Sequence, residues 1–166
     1  MKGRRLAVLA VGLVATAVGV MAGERVGATW RMAYDKATIP CLPYRLYAIQ
    51  VAGAPAEPSR GDYVAFRTAG LAPFFEDGTL FTKQVLGVPG DRVIVTEEGA
   101  RVGDRLLEFH PVPLQKLNRT RASLAQSYVL GPDQFFMAGT NPRAYDSRYY
   151  GPVHRGQLVG RSYPLW

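Results

Sequence analysis

Only one cysteine, Cys41, and two histidines, His110 and His154, stand in this 166-residue chain. A lone thiol excludes an intrachain disulfide framework, and with two scattered imidazoles it excludes the usual structural zinc sites. Acidic residues are also scarce, 13 against 20 Lys and Arg, which gives a formal net charge of +7. That balance points to an anionic neighbour, lipid headgroups or nucleic acid, and composition alone leaves both open. No internal repeat, low-complexity tract or interdomain linker interrupts the chain, and its length suits a single core. Disorder is excluded by what is present: 48% hydrophobic and 11% aromatic residues supply ample apolar surface to bury. The 18 Gly and 12 Pro are too many for a helical bundle and suit short strands cut by turns.

Lys2, Arg4 and Arg5 precede an uncharged run from Leu6 to Gly23, which Glu24 ends. As a helix rising about 1.5 Å per residue, the run reaches roughly 27 Å, enough to cross the hydrocarbon of a bilayer. A cleavable export signal is the competing reading, since Met21-Ala22-Gly23 offers small residues, but such signals carry a shorter apolar segment. A retained anchor is therefore expected over residues 1–26, with residues 27–166 as a β-rich domain beyond it. Positive charge before the span places the N-terminus in the cytoplasm and the domain outside. Gly19 and Gly23 form one GxxxG pair, a spacing common by chance in such helices. A basic domain tethered beside anionic lipid weakens the nucleic-acid reading.

Past the anchor the periodicity is that of strands. Leu46 to Val51, Tyr63 to Phe66, Leu80 to Val88 and Arg92 to Val95 are short runs rich in β-branched and aromatic residues. Gly61-Asp62, Asp77-Gly78 and Pro89-Gly90-Asp91 punctuate them with turn chemistry. Tyr128 to Leu130 and Phe135 to Ala138, separated by Gly131-Pro132-Asp133, read as a hairpin, and Leu158 to Gly160 as a strand closing the sheet. Leu106 to Gln126 reads as an irregular excursion with one short helix. The expectation is a mainly β, antiparallel domain on a single transmembrane helix.

Three constellations offer chemistry. In Pro40-Cys41-Leu42-Pro43 the two prolines hold the backbone stiff and present Cys41 at a fixed place. A buried thiol packing as a small hydrophobe is the bland reading; an unpaired thiol outside the cytoplasmic membrane is exposed to oxidation and asks for a reason. Lys83 sits inside the apolar run Leu80 to Val88, where ordinary alternation would turn it to solvent. Burial instead would penalise the ammonium and make the amine a usable general base. The third, Gly139 to Gly151, contains Asp146 and Arg148, which read equally as a structural ion pair or as part of a site. Neither His110 nor His154 has partners that suggest a metal ligand or a triad.

In this order the blocks resemble the membrane-bound type I signal peptidases, the serine–lysine leader peptidases. The anchor is followed by a nucleophile box, Cys41-Leu42-Pro43, and then by the strand Gly61-Asp62-Tyr63-Val64-Ala65-Phe66. The lysine box runs from Phe81 to Asp91, and the closing block, Gly139 to Gly151, holds Asp146-Ser147-Arg148-Tyr149. The small size, the single span and the Leu-Pro-Tyr-Arg-Leu-Tyr continuation after Cys41 look most like the TraF-type peptidases of conjugative transfer, which mature a pilin precursor and are associated with closing it into a ring.

The resemblance implies that Cys41 is the nucleophile, Lys83 the general base and Asp146 the residue that organises the site; Asp146 is further expected to pair with Arg148 and hold the closing loop against the Lys83 strand. It implies a periplasmic domain on a bacterial inner-membrane anchor, no cofactor or metal, no nucleic acid, and a pilin precursor or other exported protein as substrate beside membrane lipid. Three departures mark this chain. Cys41 stands where the family generally has serine, Ile39 where leader peptidases often place an oxyanion-hole hydroxyl, and Ala144 where they place a serine supporting the lysine. General signal-peptide removal, or a non-catalytic pilus-assembly role on the same fold, are the rival readings. The apolar loop Leu71-Ala72-Pro73-Phe74-Phe75 is expected either to dip into the outer leaflet or to cap the core.

Overall fold

A computed structural model describes residues 16, 19–21, 23–51 and 57–166. The run from Leu6 to Gly23, expected as the anchor, lies for the most part outside those residues. Among the described residues no helix is long and apolar enough to cross a membrane. Residues 23–29 are helical and lead directly into the first strand.

Eleven strands follow among the described residues, all antiparallel to their neighbours. A seven-stranded sheet has the order β1 (Trp30–Tyr34), β2 (Leu46–Gln50), β11 (Leu158–Pro164), β3 (Tyr63–Arg67), β4 (Leu80–Gly87), β9 (Gln134–Ala138) and β10 (Val153–His154). A four-stranded sheet has the order β7 (Arg105–Glu108), β6 (Gly99–Val102), β5 (Arg92–Val95) and β8 (Gln126–Val129). The short helices α1 (Pro111–Leu117) and α2 (Ser147–Tyr150) fill the connections.

β4 and β9 form the partition between two cores. On β9, Phe135 and Met137 join Val64, Phe66, Val85 and Val153 in one cluster. Phe136 and Ala138, the alternate residues, join Leu86, Val93, Val102 and Leu114 in the other. A strand buried on both faces has no polar alternation to show, and its sequence reads as a continuous apolar run.

The four longest expected strands are present within a residue or two of their expected ends. Three corrections follow from pairing that acts at long range. Tyr128 to Leu130 and Phe135 to Ala138 do not form a hairpin, because β8 pairs with β5 while β9 pairs with β4 and β10. The strand after Leu158 does not close an edge. It runs on to Pro164 and lies between β2 and β3 inside the larger sheet. Leu106 to Gln126 is more regular than expected. It contains most of β7, and α1 starts at Pro111 with His110 Nδ1 accepting from the Val112 N–H at 3.2 Å. Asn118, at φ 50°, ends α1 in the left-handed region.

Candidate active site

The nucleophile box is held from both sides. Upstream, Arg45 braces residues 35–38: its Nη1 donates to Ala37 O at 2.8 Å and to Asp35 O at 3.2 Å. Downstream, the loop after β9 reaches back across the molecule. The Cys41 carbonyl accepts from Thr140 N–H at 2.9 Å and Asn141 N–H at 3.2 Å. Asn141 Nδ2 donates to Pro40 O at 3.1 Å. A Cβ placed on Gly139 would stand 2.4 Å from Ala144 Cβ, 2.8 Å from Cys41 O and 3.4 Å from Cys41 Cβ. The loop and the box therefore touch so closely that only glycine fits between them.

Lys83 does not turn to solvent as alternation alone suggests. It is 3% exposed, because β4 is covered on both faces. Its Nζ lies 5.3 Å from the centroid of the Phe81 ring. No carboxylate lies within ion-pairing distance of it among the described residues.

Asp146 and Arg148 form a buried bidentate pair, with Arg148 Nη2 on Asp146 Oδ2 at 2.7 Å and Nε on Oδ1 at 2.8 Å. Asp146 Oδ2 also accepts from Gly139 N–H at 2.9 Å. Arg148 reaches Glu108 O at 2.7 Å through Nη1 and Ala144 O at 3.2 Å through Nη2. Burial works against the guanidinium charge, but the Asp146 hydrogen bonds and charge outweigh it and the pKa is raised. The pair does not line the groove described below. It ties β9, β7 and α2 together behind the loop that clamps Cys41. Beside it the Tyr150 hydroxyl is buried next to Ser147. Burial, with Asp146, Cys41 and Tyr145 adding to it, holds that phenol well above its ordinary pKa.

Cys41 and Lys83 both line one groove of about 510 Å³. Residues 33–37 make one wall, Thr79 to Thr82 of the β4 side another, and Phe75 and Tyr145 close one end. Val85 N–H donates to Asp62 O, and Thr79 O accepts from Thr68 N–H, both towards β3. Alternation then turns the N–H and C=O of Leu80 and Thr82 to the opposite edge. β9 pairs with β4 only from Gln84 onward, so those groups stand free beside the groove. The groove thus brings together a thiol, a buried amine and an open strand edge.

Among the expected site residues, the structure thus puts Cys41 and Lys83 on one groove and Asp146 with Arg148 behind it. Ile39 offers no hydroxyl, and the Cys41 N–H makes no hydrogen bond among the described residues. Phe75 packs against Phe81 at 4.8 Å and stacks on Tyr145 at 5.8 Å, while Phe74 is 43% exposed. One ring of the loop thus packs onto the wall of the groove, and the other is exposed. Sequence reasoning missed the Asn141 and Gly139 clamp, the Arg45 brace and the Tyr145 wall. The Gly-Thr-Asn triplet after a strand was the visible signal for the first.

The family profile described as signal peptidase, peptidase S26, matches residues 5–166. A probable signal peptidase I-2 of Synechocystis is 29% identical over 137 residues, covering 78% of this chain and 53% of that protein. A plasmid transfer protein TraF of Escherichia coli is 29% identical over 163 residues, covering 88% of this chain and 84% of the relative. A conjugal transfer protein TraF of Agrobacterium fabrum is 26% identical over 172 residues, covering 92% and 87%. A signal peptidase I crystal structure from Enterococcus faecalis aligns with 64% of this chain at 22% identity, with a TM-score of 0.39. The chain spans about half the length of the Synechocystis protein and most of each transfer protein.

Proposed function

The chain belongs to the signal peptidase family, peptidase S26, and from that membership we propose that it cleaves a pilin precursor of a conjugative-transfer system through Cys41 and Lys83. The observation that carries the reading is that the one thiol of the chain and a buried, carboxylate-free lysine line the same groove. Support for the transfer setting is the even coverage of the two transfer proteins, against half-coverage of the signal peptidase. In this reading residues 1–26 anchor the chain in the inner membrane with its N-terminus in the cytoplasm, and residues 27–166 work in the periplasm.

The precursor lies extended against the free edge of β4, exchanging backbone hydrogen bonds with Thr82 and Leu80. The Cys41 thiol gives its proton to the Lys83 amine, and the sulfur attacks the scissile carbonyl carbon. The oxyanion that forms faces the Cys41 N–H, a donor of a kind that contributes about 3–4 kcal/mol in the transition state. As the C–N bond breaks, Lys83 returns the proton to the leaving amine and a thioester remains. Water, deprotonated by Lys83, then releases the acid and the free thiol. Attack by the precursor's own N-terminal amine instead forms a new amide and gives a ring. Asp146 and Arg148 touch none of the reacting atoms; they hold the loop that fixes the Cys41 backbone.

The test uses the full chain in membranes with the precursor. Cys41→Ala and Lys83→Ala are each expected to lower processing by about three orders of magnitude or more. Mass spectrometry of the product separates the two fates of the thioester, since linear and cyclic forms differ by one water. Undiminished processing and transfer in both variants would make the protein a non-catalytic assembly factor.

A further inference from the structure

Beyond the Phe75–Tyr145 end of the groove lies a second hollow of about 210 Å³ that the cleavage chemistry does not use. Its apolar side is Phe74, Val112, Pro113 and Leu117, and its two charged lining residues, Lys116 and Arg143, are both basic. Neither cation has an acidic partner within 4 Å among the described residues. A shallower hollow on the other side of α1 adds Arg119 and Arg121 and again no acid. Arg119 is close enough to Tyr145 to oppose the upward shift that burial gives its phenol. The two spaces share Phe75 and Tyr145 as a common wall. The second hollow therefore adjoins the groove at those two rings.

We propose that this hollow is a specificity subsite for the same substrate, taking an apolar residue and, beside it, a carboxylate that pairs with Lys116 and Arg143. The proposal rests on the peptidase reading above. The wall argues for one continuous chain: stacked rings at 5.8 Å give a flat surface over which an extended backbone runs. The charge argues for the anion, because two unpaired cations beside an apolar floor attract a group that is acidic at one end and apolar at the other. The carboxylate belongs to an acidic side chain or to the substrate's C-terminus; both present the same group.

The experiment measures kcat/KM for short alanine–serine peptides carrying one Glu, Gln or Lys walked along the sequence, each made with a free and an amidated C-terminus. At one register the Glu peptide is expected to exceed its Gln counterpart by about tenfold, with added salt eroding the difference. If the free C-terminus supplies the carboxylate, amidation alone removes the preference. Lys116→Gln and Arg143→Gln should each reduce the Glu/Gln ratio several-fold, Lys116→Arg should keep it, and Arg101→Gln on the far sheet should not move it. Lys116→Glu combined with Arg143→Glu should turn the preference towards the Lys peptide. Binding of the same peptides to the Cys41→Ala chain, read by fluorescence anisotropy, carries the same ratios without turnover. Cleavage by the wild type with equal Glu and Gln values at every register, in rate and in binding, overturns the subsite and leaves the peptidase standing. Preserved binding preference without any cleavage overturns the peptidase and keeps the subsite. Loss of phosphatidylglycerol-vesicle binding in the Gln variants, with peptide ratios unchanged, would assign the cations to lipid and overturn the proposal.

Discussion

Residue 139 has no room for a side chain, and the reason is residue 41. A methyl group on Gly139 would meet Ala144 Cβ at 2.4 Å and the Cys41 carbonyl oxygen at 2.8 Å. The backbone carbonyl cannot turn away without losing its hydrogen bonds from Thr140 and Asn141. Gly139→Ala should therefore push Cys41 along the groove rather than merely loosen the fold. Overpacking of this kind costs about 1–3 kcal/mol, readable as a lower midpoint in chemical denaturation. A displacement of even 1 Å from the reacting geometry can cost about a hundredfold in rate. The expected pattern is a modest loss of stability with a large loss of turnover. Ala144→Gly removes the 2.4 Å contact, and the double variant should recover part of the stability. Full activity in Gly139→Ala would show that the clamp does not set the position of Cys41.

At the scale of elements, β4 does two jobs with its two halves. β3 pairs with its first half, Leu80 to Gln84, and β9 with its second half, from Gln84 onward, so before Gln84 the edge away from β3 is open. The open half predicts a particular sensitivity in the substrate. A peptide N-methylated at the amide that meets the Thr82 carbonyl should lose at least about fivefold in kcat/KM, the worth of one net hydrogen bond. Methylation one residue along, where the amide points to solvent, should cost little, and equal losses at both positions would exclude strand addition. The long runs of β2, β3 and β4 were legible because apolar and β-branched residues cluster there between turns. β1 and β6 were not, since Trp30-Arg31-Met32 and Gly99-Ala100-Arg101 carry charge or glycine in mid-strand and are made strands by their partners. The β8–β9 hairpin failed for the same cause: a Gly-Pro-Asp turn reports a reversal, not which sheet each arm joins. Cys41, Lys83 and Asp146 were legible only as separate blocks. Burial of Lys83 and the bond from Asn141 to Pro40, 101 residues apart in sequence, come from tertiary packing that no local pattern encodes.

At the scale of the whole molecule, burial shifts the phenols of six tyrosines spread over both sheets and the closing loop. Tyr47, Tyr63, Tyr128, Tyr145, Tyr149 and Tyr150 all have raised pKa values, with burial as the largest cause in each. Tyr128, on β8 of the smaller sheet, is pushed up to about 12, and its hydroxyl has no hydrogen-bond partner among the described residues. A phenol in the unfolded chain ionises near 10. Between about pH 10 and 12 the unfolded chain therefore sheds a proton that the native chain keeps. Stability is fully present below that window and falls as pH rises through it. Since the six phenols lie in both sheets and around the closing loop, the loss should appear as a single cooperative transition, with tyrosinate absorbance rising together with the loss of β-sheet circular dichroism. Tyr128→Phe removes one of these protons and one unpaired buried oxygen, whose presence is unfavourable by itself. That variant should be at least as stable at neutral pH, and its stability should decline less steeply above pH 10. An unchanged slope in Tyr128→Phe would mean that the residue 128 phenol is not held protonated by the fold.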